Sequence, residues 1–313
     1  MDLLERVAAT GLLEPARPVV VLVSGGRDSV CLLDVAVALS GADAVRALHV
    51  NYGLREAADG DEAHCVALGE RLGIPLEVHR AARPDDATGN LQAWARDARY
   101  GAAARLAAAA GAAARVAAAH TATDQAETVL YRLAASPGRR ALLGMPMRSG
   151  RLVRPLLGIT REETAAWCRA RGLEWREDAT NAADRYARGR VRGGLVPALR
   201  AVHPAAERNV VRTADLLRDE AEVLDVVVDT ALAGRDRIAV DHLATLPRAL
   251  ARLVVRRLAE RASGAYCARA AGRLDDIVAL GDGALDLGDG ARAIVDGGVL
   301  RCERTPRLPA RPT

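Results

Sequence analysis

Val19 to Val23 is an unbroken aliphatic run that stops at a glycine pair, and from Asp28 to Leu39 apolar residues recur at helical spacing. That pattern predicts a strand, a tight loop and a helix. The alternation then repeats. A strand over Val45 to Val50 precedes a helix over Asp61 to Leu72, a strand over Leu76 to His79 precedes a helix over Leu91 to Ala110, and Arg115 to Ala119 is a weaker fourth strand. Strands alternating with helices imply right-handed crossovers and a parallel sheet covered on both faces. Ligands on such sheets bind beyond the carboxyl ends of the strands, which directs attention to the loops after Val23, Val50, His79 and Ala119.

Leu152 to Pro155 reads as one more short extended piece, and Thr160-Arg161-Glu162-Glu163 has the spacing of a capping box opening a helix to Arg171. From His203 the pattern changes. A helical period runs from Pro204 to about Leu232, another from Leu246 to Arg261, and a Gly-rich tail carries short alternating strands near Leu285 to Arg301. The expected architecture is α/β: a doubly wound parallel sheet over residues 1–203, then a smaller, mainly helical domain over 204–313 that ends in a short hairpin.

Composition refines this picture in a few places. Half the residues are apolar, but Phe is absent and aromatics are scarce, so the core must be built from Ala, Val and Leu. All 44 basic residues are Arg, which with the abundance of Ala reads first as coding bias and second as a preference for guanidinium forks on phosphate. A net charge of +4 decides little, because screening makes local Arg clusters matter more than the total. The five cysteines, Cys31, Cys65, Cys168, Cys267 and Cys302, are widely spaced and include no Cys-x-x-Cys pair, which suits a reduced, cytoplasmic setting. No run of about 18 apolar residues occurs, and neither secretion nor a membrane span is expected.

The loop Ser24-Gly25-Gly26-Arg27-Asp28-Ser29 carries the clearest chemistry. A strand entering a helix through small residues lets backbone N–H groups approach a phosphate, while the helix N-terminus adds partial positive charge. Gly25 and Gly26 leave room for that approach, and Ser24 and Ser29 supply hydroxyls. Arg27 can pair with phosphate oxygens, and Asp28 can hold Mg²⁺ or cap the helix. The Gly-Lys-Ser/Thr of a Walker A loop is missing, and no Gly-x-Gly-x-x-Gly follows the strand.

This hexapeptide resembles the pyrophosphate-binding loop of the ATP-pyrophosphatase (PP-loop) family, with its adenine-nucleotide α-hydrolase-like fold. The resemblance implies that ATP is cleaved to AMP and pyrophosphate and that AMP passes to a substrate oxygen. Further stretches resemble the tRNA(Ile)-lysidine synthases within that family. His49-Val50-Asn51-Tyr52-Gly53-Leu54-Arg55 is similar to their second-strand loop, and Asn90 to Tyr100 to a helix whose Ala-Arg-x-x-Arg-Tyr pattern places Arg96 and Arg99 near the nucleotide. His120-Thr121-Ala122-Thr123-Asp124-Gln125-Ala126-Glu127-Thr128 matches a His-x-x-Asp-Asp-Gln-Ala-Glu-Thr signature, with Thr123 where Asp is usual. Ser136 to Met145, Val153 to Leu157, Glu177 to Asn181 and Tyr186 to Arg192 continue the similarity, with Gly189 where Asn is common.

The likeness covers about residues 17–204 and places the chain with the family's short forms. It implies adenylation of the wobble cytidine in an isoleucine tRNA with a CAU anticodon, followed by attack of the L-lysine side-chain amine. Under that reading Ser24 to Ser29, Arg96 and Arg99 bind ATP, and Asp28 holds Mg²⁺. Asp28, His120 and Asp124 are the catalytic candidates, and Asp124, Glu127, Arg188, Arg190 and Arg192 bind lysine or tRNA. Residues 204–313 would serve the tRNA. The alternatives are tRNA thiolation on the same fold, amide ligation of a small acid, and a non-catalytic Arg-rich RNA-binding paralogue. A homodimer stays open.

Overall fold

The computed structural model describes residues 2–54, 58–83, 90–135, 138–176 and 187–306, with the side chain of Arg188 excepted. The chain divides into two compact units, Met1–Leu217 and Arg218–Thr313. The division falls inside a continuous helix, whose first turns belong to the first unit.

The first unit runs α1 (Leu3–Ala8), β1 (Val19–Val23), α2 (Arg27–Ser40), β2 (Val45–Asn51), α3 (Ala58–Leu72), β3 (Leu76–Arg80), α4 (Leu91–Ala109) and β4 (Arg115–Ala117). It continues through α5 (Ala122–Ala135), α6 (Arg139–Leu142), β5 (Arg148–Ser149), β6 (Leu152–Val153), α7 (Arg161–Ala170), α8 (Ala187–Arg190) and α9 (Val196–Val202) into α10 (Ala206–Leu232). Strand order is β3-β2-β1-β4-β6-β5. Every pairing is parallel except β5 with β6, so the sheet departs from an all-parallel one at that edge. The reason is local: only Gly150 and Arg151 separate β5 from β6, and so short a connection closes a hairpin and no crossover.

Strand β1 lies at the centre and is buried along its whole length. Its period of two splits the interior: Val19, Val21 and Val23 face the helices α1, α2 and α7, whereas Val20 and Leu22 face α4. Helix α7 is held against α2 by the buried Asp34, which accepts the Trp167 Nε1–H at 2.8 Å and pairs with Arg171 at 2.5 Å. The predicted capping box is formed, with Glu163 N–H 3.3 Å from Thr160 Oγ1 and Thr160 N–H 2.7 Å from Glu163 Oε2. Both contacts fix where the first turn of α7 lies relative to the loop after β1.

The second unit holds the end of α10, β7 (Arg237–Ala239), α11 (Val240–Thr245), α12 (Arg248–Ser263), α13 (Leu274–Val278), β8 (Gly283–Gly288), β9 (Ala291–Asp296) and β10 (Val299–Arg304). The expected terminal hairpin is a four-stranded antiparallel sheet, ordered β7-β10-β9-β8. Val254, Val255 and Leu258 of α12 share a core with Ala291, Ala293, Val295 and Leu300 of that sheet. Among the described residues, no helix is long and apolar enough to cross a membrane.

Candidate functional site

The chain leaves β1 at Val23 and turns through Ser24-Gly25-Gly26 into α2. Gly25 has φ +79°, and a Cβ there would lie 3.4 Å from both Cys65 Sγ and His64 Cδ2. Gly26 caps α2 without a side chain, and of the first-turn N–H groups that of Ser29 donates to Gly26 O at 3.0 Å, which leaves the N–H groups of Arg27 and Asp28 uncapped by any side chain at Gly26. Ser29 Oγ donates to Gly26 O at 2.7 Å, accepts the Ser24 N–H at 3.1 Å and lies 3.2 Å from Ser24 Oγ. Arg176 closes the loop from outside. Its N–H donates to Gly25 O at 2.9 Å while its Nε donates to Asp61 at 2.6 Å.

Two cavities adjoin this loop. Ser24 and Ser29 line one of about 200 Å³ together with Tyr52, Arg99, Tyr100 and His120. The guanidiniums of Arg96 and Arg99 lie 4.9 and 5.2 Å from the Tyr100 ring centre, close enough for cation–π attraction. Tyr52 donates to Ala95 O at 3.1 Å and meets Trp94 edge-on at 5.8 Å, and burial pushes its phenol above the ordinary range. His49 Nδ1, 3.0 Å from Val23 O, props the end of β1 from the neighbouring strand.

The other cavity, about 340 Å³, takes Arg27 from the loop and adds Thr123, Glu127, Arg161, Arg192 and Arg200. Glu127 is 2 % exposed, and Arg192 covers it with two hydrogen bonds, Nε to Oε1 at 2.6 Å and Nη2 to Oε2 at 3.0 Å. Asp124 Oδ2 accepts the N–H and Oγ1–H of Thr121, both at 2.9 Å, and Oδ1 accepts from Arg161 at 2.9 Å. Burial pushes the Asp124 carboxyl up, but the Arg161 charge and the Thr121 hydrogen bonds outweigh it and hold the group below the usual carboxylate range. Asp28 meets Thr164 Oγ1 at 2.5 Å through Oδ1 and Arg161 Nε at 3.4 Å through Oδ2. Arg161 therefore bridges the loop after β1 and the start of α5. Thr123 Oγ1 is buried beside this cavity without a hydrogen-bond partner among the described residues.

The PP-loop domain family matches residues 3–199. The chain is 38% identical to the tRNA(Ile)-lysidine synthase of Symbiobacterium thermophilum over 84% of its length and 60% of that protein's. With the Gloeobacter violaceus tRNA(Ile)-lysidine synthase it shares 37% identity over 80% of its own length and 78% of the relative's. The chain belongs to the tRNA(Ile)-lysidine synthase family. It spans 49% of the length of the Thermus thermophilus relatives, with which it is 41% identical. The fold is also that of the U34-tRNA thiolase NcsA from Methanococcus maripaludis, with a TM-score of 0.58 at 18% identity over 69% of this chain and 78% of that one.

Within this lysidine-synthase framework the residues singled out from sequence divide in a way spacing does not show. Ser24, Ser29, Arg99 and His120 face the smaller cavity, whereas Arg27, Thr123, Glu127 and Arg192 face the larger one. His120 and Glu127, seven positions apart in one signature, thus serve different cavities. Arg192 does not fan outward as its spacing suggested; it turns onto Glu127 from a π-helical turn over Val191–Leu195. The side chain of Arg188 and the stretches Arg55, Ser136-Pro137, Glu177 to Asn181 and Tyr186 lie outside the described residues. Arg161, Thr164 and Arg176 are the site residues that sequence reading missed. Arg161 stood in plain view within the capping box, but nothing in a cap says that its second residue reaches another loop.

The family resemblance implies Mg²⁺ at Asp28. Among the described residues, no group of three or more His, Cys, Asp and Glu side chains converges to hold a metal. Both Asp28 oxygens are engaged, by Thr164 and Arg161, and both Asp124 oxygens by Thr121 and Arg161. The arrangement does not fit a divalent ion held by these side chains as they stand.

Proposed function

We propose that this chain is an ATP-dependent ligase of the cytoplasm that joins the side-chain amine of L-lysine to the wobble cytidine of an isoleucine tRNA with a CAU anticodon. The cytidine oxygen is adenylated first, with release of pyrophosphate, and the amine then displaces AMP. The observation that carries this reading is that one phosphate-binding loop borders two chemically distinct cavities, one walled by Tyr52, Arg99 and Tyr100, the other by arginines and glutamates. The names of the relatives support a tRNA substrate, and the lysine and the CAU anticodon are taken from the family resemblance.

In this proposal Ser24, Gly25, Gly26, Arg27, Asp28 and Ser29 cradle the phosphates, and Arg96 and Arg99 flank the nucleoside. Lysine is a cation at neutral pH and must lose a proton to attack. Asp124 and Glu127, paired with Arg161 and Arg192 at rest, receive its ammonium once those guanidiniums turn to other partners, and His120 is placed beside the loop to take or relay the proton. Arg188, Arg190 and Arg192 serve the lysine carboxylate or the RNA, Arg192 only after it exchanges Glu127 for that partner. Thr123, a buried hydroxyl without a partner among the described residues, offers the larger cavity one further polar contact. Holding both reactants at one site can be worth effective concentrations on the order of 10⁵ to 10⁸ M, which is the main contribution such a site makes. Mg²⁺ would arrive with ATP.

Thiolation is the weaker reading, because Cys31, Cys65, Cys168 and Cys267 are fully buried and line neither cavity. The test is incorporation of labelled lysine into tRNA with ATP present. Incorporation that depends on tRNA and is lost in Asp28→Ala supports the proposal. Pyrophosphate release that needs no tRNA would point to amide ligation, and no release at all to a non-catalytic RNA-binding role.

A further inference from the structure

Three carboxylates, Asp28, Asp124 and Glu127, stand against three guanidiniums, Arg27, Arg161 and Arg192. The cluster is balanced, so little field remains to draw in a cation. Arg161 is its centre. It reaches Asp124 at 2.9 Å and Asp28 at 3.4 Å, and it is placed by the capping box of α7 and by Thr164, one turn on, which grips the same Asp28. The two arms of Arg161 are unequal. Nη2 makes a full hydrogen bond to Asp124, whereas the buried Nε–H facing Asp28 satisfies no acceptor among the described residues. A strongly bound partner would use that donor. A triphosphate oxygen is such a partner, since guanidinium pairs well with phosphate.

We propose that Arg161 is the resident cation of the Asp28–Asp124 pair, so that these acids hold no divalent ion in the nucleotide-free chain, and that the phosphates of a bound nucleotide draw the guanidinium off Asp28. This makes Arg161 a positioning residue, acting through the two acids and the phosphates. It does not depend on which nucleophile later attacks, so it stands or falls apart from the lysine reading.

The test is binding of Mn²⁺ alone to the nucleotide-free full chain, read by the loss of its free-ion EPR signal, with wild type, Arg161→Gln and Arg161→Lys compared. Wild type should leave Mn²⁺ free. Arg161→Gln uncovers two carboxylates and should bind one ion at least about tenfold more tightly, and Arg161→Lys, which restores the charge, should fall back toward wild type. A second arm measures ATP affinity in EDTA, where Arg161→Gln should lose about tenfold because a guanidinium–phosphate contact is gone. The proposal is overturned if nucleotide-free wild type binds Mn²⁺ as tightly as Arg161→Gln, or if a folded Arg161→Gln binds neither Mn²⁺ more tightly nor ATP more weakly. Should Arg161→Gln fail to fold, the wild-type titration still decides: binding of Mn²⁺ well below millimolar without nucleotide overturns it, and its absence until ATP is added supports it.

Discussion

Arg192 lays two nitrogens on the carboxylate of Glu127, at 2.6 and 3.0 Å, while that carboxylate is almost wholly removed from water. A buried carboxylate without a counter-charge is far costlier than an intact pair is stabilising. The pair thus ties the π-helical turn at Val191–Leu195 to α5, and the hydrogen bonds raise the Arg192 guanidinium above its ordinary pKa. A residue that spacing marks as a ligand contact is, before any ligand arrives, a structural partner.

The two truncations of this pair should therefore differ. Arg192→Ala strands Glu127 and should cost on the order of 2–3 kcal/mol, below the figure for fully buried pairs because Arg192 is partly exposed. Glu127→Gln leaves Arg192 free to reach water and should cost less. In urea unfolding the double variant should be more stable than the sum of the singles predicts. Equal, additive losses would show that the burial of Glu127 is not what makes the pair matter.

Gln125, inside the same signature, is fully buried and closes a two-way contact with Met145, its Nε2–H donating to the carbonyl at 2.9 Å and its Oε1 accepting the N–H at 2.7 Å. The Gln is a clamp on the loop after α6. Gln125→Ala should leave both backbone groups unpaired and cost about 2–6 kcal/mol, at about 1–3 kcal/mol per stranded group, while ATP affinity stays near wild type. Gly144→Ala should act through the same clamp, since Gly144 has φ +62° and a Cβ there would meet Gln125 Oε1 at 2.6 Å. Thermal unfolding of the two singles and the double checks this, and additivity would argue against a shared cause.

These residues show what was legible in the sequence and what was not. Ser24 to Ser29 and His120 to Thr128 were readable because a loop at a strand end must place its groups in a fixed local order. The alternation of strands and helices through Ala117 was readable for the same kind of reason, since burial enforces the period of each element. Arg161 and Thr164 act on Asp28 from a helix whose hydroxyl contact spans 136 positions, and no local pattern encodes that. Three-residue β7 is too short to show a period, and it pairs with a strand more than sixty positions later, so the terminal sheet read as a hairpin. The inward turn of Arg192 was hidden because a π-helical turn shifts the side chain off the spacing expected of an α-helix.

Gly25 should be separable from an ordinary left-handed glycine. Gly25→Ala meets a strain of about 1–2 kcal/mol at its positive φ and also presses a methyl group against Cys65 and His64 of α3, which pack on the phosphate loop. Gly264→Ala, at φ +71° with nothing within 4 Å, meets the strain alone. Both variants should lose comparable stability, yet only Gly25→Ala should lose ATP affinity, by roughly tenfold or more. Isothermal titration with ATP decides it. Retained affinity in Gly25→Ala would mean that the loop does not need its close backbone approach.

Asp124 gives the site a pH signature whose sign can be worked out. Its folded pKa is depressed below that of the unfolded chain, where an Asp titrates near about 3.9. The native state therefore binds fewer protons than the unfolded state across that interval, and the stabilisation is fully present above about pH 4. It is lost as the pH falls through the folded value. The stability gap between wild type and Asp124→Asn should be constant from neutrality down to about pH 4, narrow as the pH falls from there toward the folded value, and be closed below it. Because Arg161 is the charge that most lowers the group, the closure should be smaller and complete at a higher pH when Arg161→Gln is the common background. Urea unfolding at a series of pH values reads both effects. A gap that stays constant into strong acid would show that Asp124 is not held ionised by its folded surroundings.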